Sequence, residues 1–214
     1  MAFALCFTAN QANAASITLF NTGVDAGGVP LANAAASIDP HYVISINPDI
    51  SAGADGATHV EDEAAFPIVA GPWLSNTTTA KWIAPRFDTA GSAAGLYEYS
   101  MSFSLPAGAI LPTATISGLW AFDDGGVAGG IFLNGFEVVP AENPGFGGLT
   151  AFTIPTGSPF LAGANTLSFQ GTNGGGYTGL IVDRLSGTVD IVPEPGALAL
   201  LGLVTIGVGA RRRR

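Results

Sequence analysis

The amino-acid sequence predicts an all-β fold, built as an antiparallel β-sandwich. The clearest observation is the segment Tyr97–Leu105, in which apolar and polar residues alternate over nine positions, as in a strand that buries one face. The 30 glycines and 14 prolines are the second observation, because they gather between short apolar segments as turn residues do. The third is that no segment before Pro195 has the period of a helix.

The other strands are predicted from short segments that are rich in β-branched and aromatic residues. Two of them precede the alternating strand and one follows it: Ser16–Phe20, Tyr42–Ile46 and Ala114–Phe122. Ile131–Val138 is predicted to be a hairpin, because Asn134 and Gly135 supply the two positive-φ residues of a type I′ turn. The last predicted strands are Thr150–Ile154, Thr166–Gly171, Leu180–Asp183 and Thr188–Ile191. Together these strands form one domain over residues 15–192.

The charge of this domain excludes a class of partners. Residues 15–192 contain 15 acidic side chains and only three basic ones, Lys81, Arg86 and Arg184. A body this acidic repels phosphate backbones, so no nucleic-acid partner is expected. The single cysteine, Cys6, permits no intramolecular disulfide.

Residues 1–14 are interpreted as the remnant of a secretory signal peptide. Ala2–Phe7 is a short apolar segment, and Ala12 and Ala14 form the small-x-small pattern that precedes a cleavage point before Ala15. We therefore expect the protein to be exported.

The chain ends in three consecutive parts over residues 193–214. They are Pro193, Glu194 and Pro195, the uncharged apolar segment Gly196–Ala210, and Arg211, Arg212, Arg213 and Arg214. The apolar segment predicts a hydrophobic helix of about 22 Å, short of the roughly 30 Å hydrocarbon core. The four arginines that follow this segment would stay on the cytoplasmic side of the inner membrane.

This three-part ending resembles the PEP-CTERM sorting signal of exported proteins in Gram-negative bacteria that make exopolysaccharide. The resemblance implies processing by an exosortase near the Pro-Glu-Pro motif. It also implies transient residence in the inner membrane before delivery to the cell surface or the extracellular space.

A second set of features lies between residues 60 and 190. In chain order they are Trp82–Pro85, the strand Tyr97–Leu105, Trp120–Asp124, Phe132–Gly135 and Gly163–Leu167. This order is similar to that of the galactose-binding-like jelly rolls found beside glycosidases and in bacterial surface proteins. The resemblance implies a jelly-roll-like sandwich, and many such domains bind sugars.

Carbohydrate binding requires exposed aromatic faces beside side chains that bond to hydroxyl groups. The candidate aromatic residues are Trp73, Trp82 and Tyr177, and the candidate hydrogen-bonding residues are Asp123 and Asp124. The alternative is a structural role for the aromatic residues, with Trp120 in the core in phase with Ile116 and Trp82 at the end of the barrel, since buried aromatic residues are the commoner case in sandwiches.

The sequence also contains features that concern calcium binding and catalysis. Glu61, Asp62 and Glu63 form a candidate calcium site, because clustered carboxylates are the ligands that calcium prefers; the alternative is a solvated acidic loop. Catalysis is not expected, because no histidine motif accompanies a nucleophile. Asp123 and Asp124 are adjacent on a predicted strand and would point to opposite faces, which disfavours a glycosidase.

The sequence therefore predicts a non-catalytic protein of the cell surface or extracellular matrix, associated with exopolysaccharide or biofilm. The alternative is a carbohydrate-binding module with a defined sugar site, assisted by calcium or free of any cofactor. A glycosidase-like enzyme is a minor alternative.

Overall fold

The computed structural model describes residues 12–32, 37–51, 53–88, 90–124, 129–140 and 144–192, which form two antiparallel β-sheets. The strands in these ranges are β1 (Asn13–Ile17), β2 (Tyr42–Ile46), β3 (His59–Val60), β4 (Ile83–Ala84), β5 (Gly95–Ser104), β6 (Thr115–Asp123), β7 (Gly130–Leu133), β8 (Phe136–Val139), β9 (Thr150–Ile154), β10 (Ala164–Asn173) and β11 (Gly179–Ile191). One 3₁₀ turn, Leu111–Thr113, is the only helical element in the described part. The all-β prediction is confirmed.

Each of the two sheets pairs strands that are far apart in the sequence. The first sheet has the order β3-β4-β11-β6-β9, with β1 also paired to β11. The second has the order β2-β5-β10-β7-β8. Each sheet therefore joins early and late parts of the chain.

The main core lies between the two sheets, as the alternation in β5 predicted. Tyr97, Tyr99, Met101 and Phe103 are all buried, and Leu105 is buried directly after the strand. Ser100, on the other face of β5, is also buried, and its Oγ lies 2.8 Å from Oγ of Ser168 on β10. The hydroxyl pair thus satisfies the polar groups of a covered sheet face.

The observed strands differ from the predicted ones mainly in three respects. The segments Leu180–Asp183 and Thr188–Ile191 belong to one continuous strand, β11, which a register shift interrupts between Asp183 and Ser186. The first strand spans Asn13–Ile17 and so begins before the predicted cleavage point. Cleavage there would leave Ala15, Ser16 and Ile17 paired with β11. Strands β3 and β4 were not predicted, because two residues are too few to show an alternation.

A second, smaller core lies on the outer face of the first sheet. Ala121 of β6 and Ile181 of β11 alternate with residues of the main core, so they face away from it. The loop 61–82, between β3 and β4, covers them with Ile68, Trp73, Ala80 and Trp82. The first sheet is therefore buried on both faces around Ala121 and Ile181.

The hairpin between β7 and β8 has the predicted turn. Asn134 and Gly135 have φ angles of 54° and 82°, as a type I′ turn requires. The Asn134 side chain also donates to Asn165 Oδ1 at 2.8 Å, and it accepts from the backbone N–H of Thr166 at 2.9 Å. The turn is thereby joined to the start of β10.

Replacing Gly135 with valine should lower the free energy of unfolding by about 1–3 kcal/mol, because a β-branched residue is strained at positive φ. A Cβ at this position would meet open space, so the loss would come from the backbone alone. Gly147→Val is the matched control, since Gly147 also has open space around it but no positive φ. Urea denaturation that gave equal losses for the two variants would contradict the turn argument.

Candidate functional site

Most of the candidate binding residues come together where the loop 61–82 meets the end of β6. The rings of Trp73 and Trp82 have centroids 4.2 Å apart. Trp73 Nε1 donates a 2.6 Å hydrogen bond to Asp123 Oδ2. Thr178, at the end of the loop 174–178, donates its hydroxyl to the carbonyl of Asp123. Aromatic and acidic candidates that are about 50 residues apart thus form one cluster.

The two tryptophans are buried parts of the second core. Trp73 is 4% exposed and Trp82 is 0% exposed. The indole N–H of Trp82 donates to the Leu74 carbonyl at 2.9 Å, so both ring nitrogens have partners inside the protein. Neither ring offers a face to a sugar, and the structure corrects the prediction for these two residues. Both tryptophans are packed in the second core instead.

The open aromatic surface in this region belongs to Tyr177 and Phe66. Their rings pack edge to face with centroids 4.9 Å apart. Phe66 is 48% exposed, and Tyr177 is half-buried against the second core. Tyr177 therefore stays a candidate for sugar binding, and Phe66 joins it as a candidate that the sequence did not predict. A single apolar residue in a loop without periodicity carries no sequence signal that it is exposed.

Asp123 and Asp124 form a close carboxyl pair. Asp123 is 5% exposed, and its Oδ1 has no hydrogen-bond partner in the described part of the protein. Burial, together with the neighbouring carboxyl group of Asp124, raises the pKa of Asp123 to about 7, although the hydrogen bond from Trp73 lowers it in part. Asp124 is exposed and accepts a 2.7 Å hydrogen bond from the backbone N–H of Gly174.

The predicted divergence of these two aspartates is wrong. Asp123 is the last residue of β6, so the alternation of a strand no longer governs Asp124. The two carboxyl groups interact, and near neutral pH the pair can hold a proton in a buried position. Asp124 is the member of the pair that solvent and ligands can reach.

Glu61, Asp62 and Glu63 do not converge on one point. Glu63 forms an ion pair with Lys81 at 3.3 Å, and its carboxylate accepts from Asn76 Nδ2 at 3.0 Å. Asp62 accepts from the backbone N–H of Ala64 at 2.9 Å, as at the start of a turn. In the described ranges no group of three or more His, Cys, Asp or Glu side chains could hold a metal ion. The structure therefore corrects the predicted metal site.

Glu61 has a different character from its neighbours. It is 3% exposed, and its Oε2 has no hydrogen-bond partner among the described residues. Burial raises its pKa to about 8, with further contributions from Asp62 and Asp88. Burial therefore favours the protonated form of Glu61 near neutral pH.

The predicted sorting residues lie beyond the described part of the chain. Pro193, Glu194, Pro195 and Arg211–Arg214 are outside it, as are the predicted helix Gly196–Ala210 and the signal-peptide residues before residue 12. The last described residue is Val192, directly after β11, and its backbone N–H donates to the carbonyl of Gly108 at 3.0 Å. In the described residues no helix has the length and apolar character needed to cross a membrane.

Comparison with known protein families identifies the C-terminal segment of the chain. Residues 192–214 match the PEP-CTERM protein-sorting motif. The prediction of a PEP-CTERM motif at the C-terminus is thereby confirmed. The motif indicates an exported, membrane-transiting protein that exosortase processes and sorts to the cell surface. Comparisons with curated proteins and with solved structures gave no match.

The PEP-CTERM motif continues directly from a strand inside the first sheet. β11 pairs with β6 along most of its length and with β1 over residues 187–191. The motif is therefore joined to the body through a strand that has neighbours on both sides where it ends.

Proposed function

We propose that this protein is a non-catalytic component of the bacterial surface or extracellular matrix, delivered by exosortase and associated with exopolysaccharide or biofilm. The PEP-CTERM match over residues 192–214 is the observation that carries this proposal. The galactose-binding-like jelly roll suggested by the sequence is compatible with the two antiparallel sheets and belongs to the same proposal.

The surroundings of the two histidines support a non-catalytic body. His41 stacks on Phe20 with ring centroids 3.6 Å apart, and its Nε2 lies 2.9 Å from the carbonyl of Asp25. His59 is 3% exposed, and its Nε2 lies 2.8 Å from Asp55 Oδ1. Each ring therefore makes contacts within the body, and this supports the proposal of a non-catalytic protein.

In a host that carries an exosortase, the mature surface or secreted form should lack the C-terminal arginines. Glu194→Gln should leave membrane insertion intact but block processing, because Glu194 is the only charged residue between Asp190 and Arg211. The intact mass of the mature protein measures this outcome.

Glu137→Gln is the matched control for processing, since Glu137 is exposed on β8, far from the motif in sequence. It should be processed like the parent chain. A mature protein that still ends in Arg214 would overturn the sorting proposal.

A carbohydrate-binding module is the second candidate function, and the exposed Phe66–Tyr177 pair favours it. An edge-to-face pair at 4.9 Å presents apolar surface that can cover the C–H face of a sugar. Asp124 is bonded to Gly174, three residues before Tyr177 in the same loop, and its carboxylate can accept hydrogen bonds from sugar hydroxyls.

A further inference from the structure

The outer face of the first sheet has an open pocket that the loop 61–82 leaves uncovered. Its volume is about 270 Å³. Residues from three strands line it, among them Ser117, Gly118, Ala151, Phe152, Thr153 and Arg184. The side chains of Ser117, Ala151 and Thr153 are exposed there, whereas Phe152 is turned into the main core.

A β-bulge in β11 creates this pocket. Asp183 is paired with Leu119 and Ser186 with Ser117, so Arg184 and Leu185 together face the single residue Gly118. Leu185 packs against the main core, and Arg184 is exposed at the pocket with a φ of 52°. The bulge therefore sends one of its two side chains inward and the other outward.

Gly118 is required by this arrangement. A Cβ at this position would lie 3.0 Å from the ring of Phe152 and 3.2 Å from the side chain of Leu185. Gly118 therefore faces the main core, where it makes room for Phe152 and Leu185, and only its backbone belongs to the floor of the pocket.

Arg184 is available to a ligand, unlike the other two basic residues of the body. Lys81 pairs with Glu63 at 3.3 Å, and Arg86 pairs with Asp88 at 2.6 Å and with Asp49 at 3.3 Å. Across the described ranges, no ion pair involves Arg184. An exposed guanidinium without a partner is notable in a body with 15 acidic residues.

The adjacent carboxylate of Asp183 is committed to other donors. Asp183 is 2% exposed, and its Oδ1 accepts from Thr79 Oγ1 at 2.7 Å and from Asn21 Nδ2 at 3.3 Å. The same oxygen accepts from the backbone N–H of Arg184 at 2.8 Å. Asp183 therefore holds the bulge in place through these donors and leaves the guanidinium unpaired.

We propose that this pocket binds a carboxylate-bearing sugar, namely a single hexuronate residue. The Arg184 guanidinium would take the carboxylate in a bidentate pair. The hydroxyls of Ser117 and Thr153 would exchange hydrogen bonds with the sugar hydroxyls, and Ala151 would contact its C–H face. The proposal rests on the proposed association with exopolysaccharide and names acidic sugars as the units recognised.

Charge complementarity selects an anionic ligand and limits its size. The acidic surface repels densely charged polyanions, so the expected ligand is an isolated hexuronate in an otherwise neutral polysaccharide, and the attraction is confined to the vicinity of Arg184. A pocket of about 270 Å³ on one sheet face suits one sugar ring. We therefore expect weak binding of single hexuronates that weakens further as the salt concentration rises.

The test is ligand-observed NMR on the full chain, with galacturonate and glucuronate as probes and galactose and acetate as comparison ligands. At least one hexuronate should bind, and Arg184→Asn should lower its affinity about tenfold or more. Asparagine tolerates positive φ, so this variant should keep the bulge. Ala151→Phe should also abolish binding, because it fills the pocket while leaving Arg184 in place.

Ala107→Glu is the matched control, because it changes the net charge by the same single unit on an exposed turn. It should bind hexuronate like the parent chain. The proposal is overturned if no hexuronate binds, if acetate binds as well as hexuronate, or if Arg184→Asn and Ala151→Phe leave affinity unchanged. Failed C-terminal processing with intact hexuronate binding would instead refute only the sorting proposal.

Discussion

Replacing Trp82 with alanine is expected to lower the free energy of unfolding by about 3–5 kcal/mol. Trp82 is 0% exposed, and its ring packs on Trp73 with centroids 4.2 Å apart. The substitution would leave a cavity in the second core and the carbonyl of Leu74 without its indole donor. Chemical denaturation of the full chain measures the loss.

Tyr177→Ala separates stability from sugar binding in the same region. Tyr177 is half-buried, so its removal should cost only about 1 kcal/mol. In the carbohydrate-binding alternative, this variant should lose sugar binding while it stays folded. If Trp82→Ala kept its full stability but lost sugar binding, the assignment of Trp82 to the core would be wrong.

Glu61→Gln is expected to make the protein more stable at alkaline pH. Burial raises the pKa of Glu61 from 4.5 to about 8 in the folded state, whereas the unfolded chain ionises near the ordinary value. Between these two pH values the unfolded state loses its proton and the folded state keeps it, so stability falls as pH rises. Glutamine cannot ionise, so the variant should gain on the order of 3–5 kcal/mol relative to the parent near pH 9.

Urea titrations at pH 5, 7 and 9 check this prediction. At pH 5 the stabilities of the variant and the parent should differ by only about 1 kcal/mol, because this pH lies close to the ordinary glutamate pKa of 4.5, where the unfolded chain begins to ionise. A residual decrease with pH should remain in the variant, since the pKa of Asp123 is raised to about 7. Glu137→Gln, on the exposed side of β8, should reproduce the parent profile. An unchanged pH dependence in Glu61→Gln would show that Glu61 is ionised in the folded protein.

The features that were predicted correctly depend on local patterns. The alternation of Tyr97–Leu105 identifies a strand and its buried face without tertiary information, and β5 follows it. The Asn134–Gly135 turn is equally local, because the positive φ angles are set by the residues themselves. The PEP-CTERM motif is recognisable for a related reason, since its three parts follow one another directly in sequence.

The features that were missed depend on segments that meet only in the folded chain. Trp73 and Trp82 are buried because the loop 61–82, which has no periodicity, folds over a sheet built partly from residues about 100 positions later. The carboxyl groups of Asp123 and Asp124 interact because β6 ends at Asp123. The residue at which a strand ends cannot be inferred from the composition of the segment. The pocket beside Arg184 depends on a bulge opposite Gly118, which no short segment of the sequence specifies.

The path of β11 into the sorting motif has a mechanical consequence. If exosortase joins the processed end to the cell envelope, any pulling force enters the body through Ile191 and Val192. After cleavage before Ala15, this end of β11 is still bonded to the segment 108–110, because the Val192 N–H donates to the Gly108 carbonyl at 3.0 Å and the Ile110 N–H donates to the Asp190 carbonyl at 2.7 Å. The stretch just before it is bonded to Ala15–Ile17 of β1 on one side and to β6 on the other. The force therefore has to shear several hydrogen bonds at once, whereas an edge strand would be peeled away one bond at a time. A protein tethered in this way would stay folded under flow that detaches a protein held by its outermost strand.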